Sequence, residues 1–169
     1  MPKAHVPAPV ARSCAHAEQP THGVAGFVRT VEQACRERRL NLTPIRAEAL
    51  KRLAEAGKPI KAYDLLERMR GGPGALAPPT VYRALDFLLE HGFIHRLVSI
   101  NAFLACHHPL SGHVVPILIC RVCESAQELE DESIAASLDA LARAQHFEPT
   151  SAYLEVLGVC GHCVAEGRS

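Results

Sequence analysis

The chain has 169 residues, 48% of them hydrophobic, with seven cysteines, no Trp and a net charge of zero. That length suits one ordinary domain or two small ones, and the absence of any apolar run near ~18 residues argues against a membrane helix. The neutral total hides a division: 13 Lys and Arg stand against 8 Asp and Glu over residues 24–105, but 3 stand against 9 over residues 106–169.

A basic module therefore precedes an acidic one, and basic surfaces attract phosphate backbones. Residues 1–23, rich in Pro, Ala and His, lack the ~7–15-residue apolar stretch of a secretory signal. They read as a disordered arm. Without a signal, the expected compartment is the cytoplasm, where thiols stay reduced.

In "FVRTVEQACRERRL" Phe27, Val28, Val31, Cys35 and Leu40 fall near one helical stripe, so Cys35 reads as a small core residue. "LTPIRAEALKRLAEAG" starts a second helix, with Thr43 as N-cap, Pro44 at the first helical position and Gly57 as the stop. Ile45, Ala49, Leu50 and Leu53 are its expected buried face. "IKAYDLLERMRGG" gives a short third helix carrying Leu65, Leu66 and Met69. "PTVYRALDFLLEHG" gives a fourth, with Val81, Ala84, Leu85, Leu88 and Leu89 inward and Gly92 at its end.

"FIHRLVSINAFLAC" then reads as two strands around a turn at residues 99–101. Helices followed by a β-hairpin form a winged helix-turn-helix, whose helix before the wing enters the DNA major groove. Its first turn, Thr80 to Arg83, faces the bases in that arrangement, where Arg can donate two bonds to guanine. An ordinary helical domain with a solvated charged face has the same pattern.

The acidic half carries "CRVC" and "CGHC". An odd number of cysteines excludes a complete internal set of disulfides. Four thiolates from two C-x2-C pairs make the closed shell of structural zinc, so Cys120, Cys123, Cys160 and Cys163 are assigned to one site. The alternatives are buried free thiols or a redox pair. Between the pairs, "SAQELE" suits a strand, "ESIAASLDALARAQHF" a helix with Ile134, Leu138 and Leu141 inward, and "TSAYLEVLGV" another strand. Such a unit is thin enough to need a metal staple. Cys106, His107, His108 and His113 cluster where the two halves meet, and antiparallel pairing brings His95 near Cys106. Thiolate plus imidazole suits zinc, and Cys106 with His113 is the expected nucleus of a second site.

"LTPIR", "AYDLL", "PPTVYRALDFLLEHGFIHRL" and the paired C-x2-C motifs resemble the ferric-uptake-regulator superfamily, and within it the zinc-uptake regulators (Zur). The resemblance runs from about Val24 to Cys163. It implies an α+β chain: a disordered arm over 1–23, a winged-helix DNA-binding domain over 24–105, and an α/β dimerisation and metal-binding domain over 106–169. It implies a homodimeric repressor that binds double-stranded operator DNA, with no membrane association, and needs at least two Zn²⁺ per chain.

The structural site maps to Cys120, Cys123, Cys160 and Cys163, and the regulatory site to His95, Cys106, His113 and Glu128, with Glu130 as the competing carboxylate. Tyr63 and Arg83 are the DNA contacts that the resemblance implies. The segment "HVVPILIC" offers only His113, which departs from the His-rich segment of iron and peroxide sensors. The alternative function is a regulator of the same superfamily that senses iron, manganese or peroxide. His107 and His108 are left for a weaker third site or for solvent, and Glu67 and Arg70 for a contact between dimers or a plain intrahelical pair.

Overall fold

The structure is a computed structural model that describes residues 23–70, 77–106, 109, 115–129, 131–150 and 152–168. Four helices come first: α1 (Gly23–Glu37), α2 (Pro44–Ala56), α3 (Ala62–Met69) and α4 (Pro78–Glu90). The expected capping holds on α2. Thr43 accepts a bond from the Arg46 N–H at 3.4 Å, and Gly57 closes the helix with φ +59°, a conformation that suits glycine. Phe27, Val31, Cys35, Ala49, Leu50, Leu53, Leu65, Leu66, Met69, Val81, Leu85 and Leu88 form one buried cluster, so Cys35 is a core residue. Ile45 departs from its expected burial. It lies in the first turn of α2 and is 37% exposed, while the Arg46 guanidinium beside it stacks 3.8 Å from the centre of the Phe87 ring. Phe87 is the inward residue of α4 that periodicity did not single out.

Strands β1 (Ile94–Leu97) and β2 (Ala102–Ala105) pair antiparallel, with His95 opposite Leu104. Asn101 closes their turn at φ +49°, which Asn tolerates better than most residues. An unforeseen bridge joins Ile60 to Phe103, each N–H donating to the other's carbonyl at 2.8–2.9 Å. Strand β2 is buried on both faces. Ile94, Phe103 and Ala105 join the helical core. Leu97 and Leu104 join a second cluster with Val115, Ile117, Ile119 and Ala126. This explains why β2 reads as an unbroken apolar run: a strand covered on both sides has no reason to alternate.

The second cluster belongs to a three-stranded sheet of order β4-β3-β5, made of β3 (Pro116–Cys120), β4 (Ala126–Glu128) and β5 (Leu154–Gly158). β3 pairs antiparallel with β4 and parallel with β5. The parallel pair requires a crossover, supplied by α5 (Glu132–Ala144). Asp131 caps α5 by accepting the Ser133 N–H at 2.8 Å. A short α6 (Gly161–Ala165) ends the described elements. One expectation fails on α5: Ile134 is 37% and Leu141 67% exposed, with Leu138 only half-buried. Among the described residues, nothing in the same chain covers that face. The expected arm falls almost wholly outside the described residues, and Gly23 itself opens α1.

Candidate metal centres and nucleic-acid interface

Cys120 ends β3 and Cys123 lies in the turn that follows, while Cys160 precedes α6 and Cys163 lies within it. The parallel pairing of Cys120 with Gly158 brings the two segments together. The four sulfurs all lie within 4.8 Å of one another, with Cys120 to Cys163 at 3.9 Å and Cys123 to Cys160 at 3.7 Å. Disulfides are far shorter, at about 2.05 Å. A tetrahedral zinc with Zn–S bonds of ~2.3 Å sets its sulfurs about 3.8 Å apart, so the spacing fits that ion.

The charges also fit. Burial opposes ionisation of Cys120, but backbone N–H groups of Cys123, Cys160 and Val122 outweigh it and bring its pKa down to about 6. Burial and the other three thiols push Cys163 up to about 12. One thiolate is favoured and further ones are resisted, which is the charge state that a divalent cation relieves.

A second group spans the hairpin and the sheet. His95 and Cys106 come from the hairpin and Glu128 from β4, and their ligand atoms lie within 4.8 Å of one another. Register explains the meeting. His95 opposes Leu104, and Cys106 is two residues beyond Leu104 on the same face. The Cys106 N–H is fixed by the Phe93 carbonyl at 3.1 Å. Glu128 is a buried carboxylate, its side chain 2% exposed.

His95 Nε2 approaches Glu128 Oε1 at 3.3 Å in a buried pocket, and the donor set of imidazole, thiolate and carboxylate suits a metal held by all three residues. Burial disfavours a charged imidazole, but the neighbouring Cys106 and Glu128 outweigh it and raise the His95 pKa to about 10. The pocket favours positive charge. His113, expected as the fourth ligand, lies outside the described residues, as do Glu130, His107 and His108.

The DNA-facing candidates stand apart from the metal groups. Arg83 is exposed on α4, Thr80 half-buried in its first turn, and Tyr63 on α3 is 66% exposed. Tyr82 beside Arg83 is 53% exposed and was not singled out from sequence; its place in "TVYR" next to Arg83 was the available signal. Glu67 and Arg70 form an intrahelical ion pair, the plainer of their two readings. Among the described residues no helix is long and apolar enough to cross a membrane.

A four-helix unit with a β-hairpin wing, joined to a small cysteine-stapled sheet, defines a winged-helix protein of the metal-centred α+β kind. The chain belongs to the ferric uptake regulator family, whose model matches residues 37–157. It is 37% identical over 134 residues to the zinc uptake regulation protein of Escherichia coli (strain K12), covering 79% of this chain and 78% of that protein. Holo XcZur is 57% identical and superposes with a TM-score of 0.77, covering 83% of this chain and 98% of the other; apo XcZur, at the same identity, gives 0.50 over 83% and 97%. A zinc uptake regulator complexed with zinc and DNA is 34% identical and superposes with a TM-score of 0.81, covering 86% and 98%.

Proposed function

We propose that the chain is a zinc-responsive transcriptional repressor that binds double-stranded operator DNA as a homodimer and switches off zinc-uptake genes. The observation that carries this reading is the group of His95, Cys106 and Glu128, drawn from two units whose relative placement a DNA-binding dimer has to fix. Similarity to proteins described as zinc uptake regulators supports it. So does the closer superposition on holo than on apo XcZur. We assign structural zinc to Cys120, Cys123, Cys160 and Cys163, and regulatory zinc to His95, Cys106 and Glu128 with His113 as fourth ligand.

Bound zinc supplies a divalent charge that offsets the thiolate and carboxylate and joins hairpin to sheet. The chain's own residues transmit that placement. Phe103 and Ala105 couple the hairpin to the helical core, so α4 moves with it, while Leu97 and Leu104 dock it on Ile117 and Ile119. The first turn of α4 then offers Thr80 and Arg83 to the major groove, with Tyr63 on α3 as a flanking contact. We divide the chain accordingly into a winged-helix domain over 24–105 and a dimerisation domain over 106–169.

The dimer answers the uncovered apolar surface. Ile134 and Leu141 on α5 and Val156 and Leu157 on β5 are all substantially exposed, and β5 is an edge strand. Such an edge calls for a partner, and a second copy brings a second α4 for a palindromic site.

A thiolate and an imidazole favour zinc, whereas Mn²⁺ suits a carboxylate and water shell, so the iron, manganese or peroxide alternative is not favoured. We read the protein as a regulator and not an enzyme, because catalytic zinc keeps three protein ligands and an open position, whereas four protein ligands, with His113 as the proposed fourth, would close this shell. We read the cytoplasm as its compartment, where thiols stay reduced and the proposed DNA target lies. Cys106→Ser tests the reading: the fold, dimer and four-thiolate zinc should persist while zinc-dependent operator binding is lost in fluorescence anisotropy. Unchanged zinc-dependent binding would refute the assignment.

A further inference from the structure

The hairpin that carries His95 is held to the sheet at both ends. At its open end lie His95, Cys106 and Glu128. At its turn, Glu155 of β5 accepts the Val98 N–H at 2.5 Å through Oε1 and the Ser99 N–H at 2.9 Å through Oε2. Each carboxylate oxygen takes one backbone donor, so the pair fixes the turn in orientation as well as position. The bonded residues are 57 and 56 positions apart in sequence, which makes this a contact between units and not a local cap.

The sheet register shows how the two ends are related. Ile117 pairs with Glu128 on one side and with Glu155 on the other, and directly opposed residues project from the same face. That face is the one the hairpin covers, because Ile117 packs with Leu97 and Leu104. Glu128 and Glu155 thus stand at the two ends of one row across β4, β3 and β5, and the hairpin lies along the row. Burial acts to raise the Glu155 pKa, but the bonds from Ser99 and Val98 hold the carboxyl below its ordinary range.

We propose that Glu155 is a positioning residue, a second and metal-independent tether that keeps the hairpin docked and thereby sets the affinity of the hinge for zinc and of the protein for DNA. The inference rests on reading the chain as a zinc-responsive DNA-binding regulator. His95 and Cys106 meet Glu128 only while the hairpin is docked. Whatever stabilises the docked form raises metal affinity by raising the fraction of molecules competent to bind. With its turn engaged by Glu155, the wing acts as a strut between the two units.

The test uses the full chain with Glu155→Gln, Glu155→Ala and Ser99→Pro. Gln keeps the shape but only one acceptor oxygen. Ser99 is the second residue of the turn closed by the Asn101 N–H on the Val98 carbonyl at 3.3 Å, a position that favours Pro. Ser99→Pro therefore deletes the Ser99 donors, its N–H and its hydroxyl, without touching the sheet. Three quantities are read: zinc affinity of the hinge by chelator competition, amide exchange at Val98 and Ser99 by mass spectrometry, and operator binding against zinc.

Glu155→Ala should speed exchange at the turn and weaken hinge zinc by about 5–150-fold, the usual range of allosteric coupling, with dimer and four-thiolate zinc intact. Glu155→Gln and Ser99→Pro should fall between it and the native protein. If all three variants hold hinge zinc as tightly as the native chain, Glu155 only caps the turn and the proposal is wrong. If the native chain shows no zinc-dependent operator binding, the regulator reading fails separately, and exchange with zinc affinity still decides the tether.

Discussion

Arg83 sits in the first turn of α4 between Val81, which is 1% exposed, and the buried pair Ala84 and Leu85. Its neighbours face the core, so its guanidinium faces out. A bidentate bond to guanine is worth ~1–3 kcal/mol of discrimination, which corresponds to about 10–100-fold in affinity. Arg83→Ala should therefore weaken operator binding by about that factor and leave scrambled duplex nearly unaffected, as measured across several salt concentrations. Equal losses on both duplexes would make it a phosphate clamp.

His95 gives a pH dependence whose sign follows from its raised pKa. In the metal-free fold its protonated form is favoured up to about 10, above its unfolded value of about 6.5. That stabilisation is complete below the unfolded value and is lost as pH rises through the folded one. Zinc has to displace this proton. Affinity of the hinge site should rise by at least about tenfold per pH unit between pH 7 and 9, because His95 has to lose its proton and Cys106 has to bind as the thiolate. A pH-independent affinity in chelator competition would remove His95 from the ligand set.

At the scale of elements, the two C-x2-C pairs were legible because their spacing alone specifies four thiolates, and helices α2 and α4 because Thr43, Pro44 and Gly57 and the Leu periodicity mark them. Strand β3 was not assigned from sequence. Pro116–Cys120 is a short apolar run between metal-ligand candidates, and without alternation its period carries no strand signal. The Ile60 bridge and Glu155 were invisible for another reason: a single residue paired with chain 43 to 57 positions away leaves no local pattern.

The outward face of α5 looked like a core stripe because an amphipathic helix reads the same whether its partner is its own chain or another copy. The structural zinc site governs the same element set. On the proposed assignment it would staple the end of β3 to α6, and its removal should unfold the sheet. Cys160→Ser is expected to lose the C-terminal unit by circular dichroism and to sediment without a native dimer. Retention of both would show that β3–β5 pairing holds the sheet without metal.

For the whole molecule, the division of charge noted in sequence corresponds to a division of labour. The basic helical unit presents Arg83 and Tyr63, while the acidic sheet unit gathers thiolates and carboxylates. The hairpin belongs to both cores, so docking on Ile117 and Ile119 is carried to α4 through packed side chains. On the proposed function, the hinge group, and not the four-thiolate group, reports zinc to DNA.

Graded chelation of the zinc-loaded dimer, with metal content, sedimentation and operator binding followed together, tests this most directly. The account predicts that the first equivalent per chain leaves under mild chelation and takes operator binding with it, while the dimer and the second equivalent persist. Operator affinity that survives loss of the first equivalent, or a dimer that falls apart with it, would contradict the account.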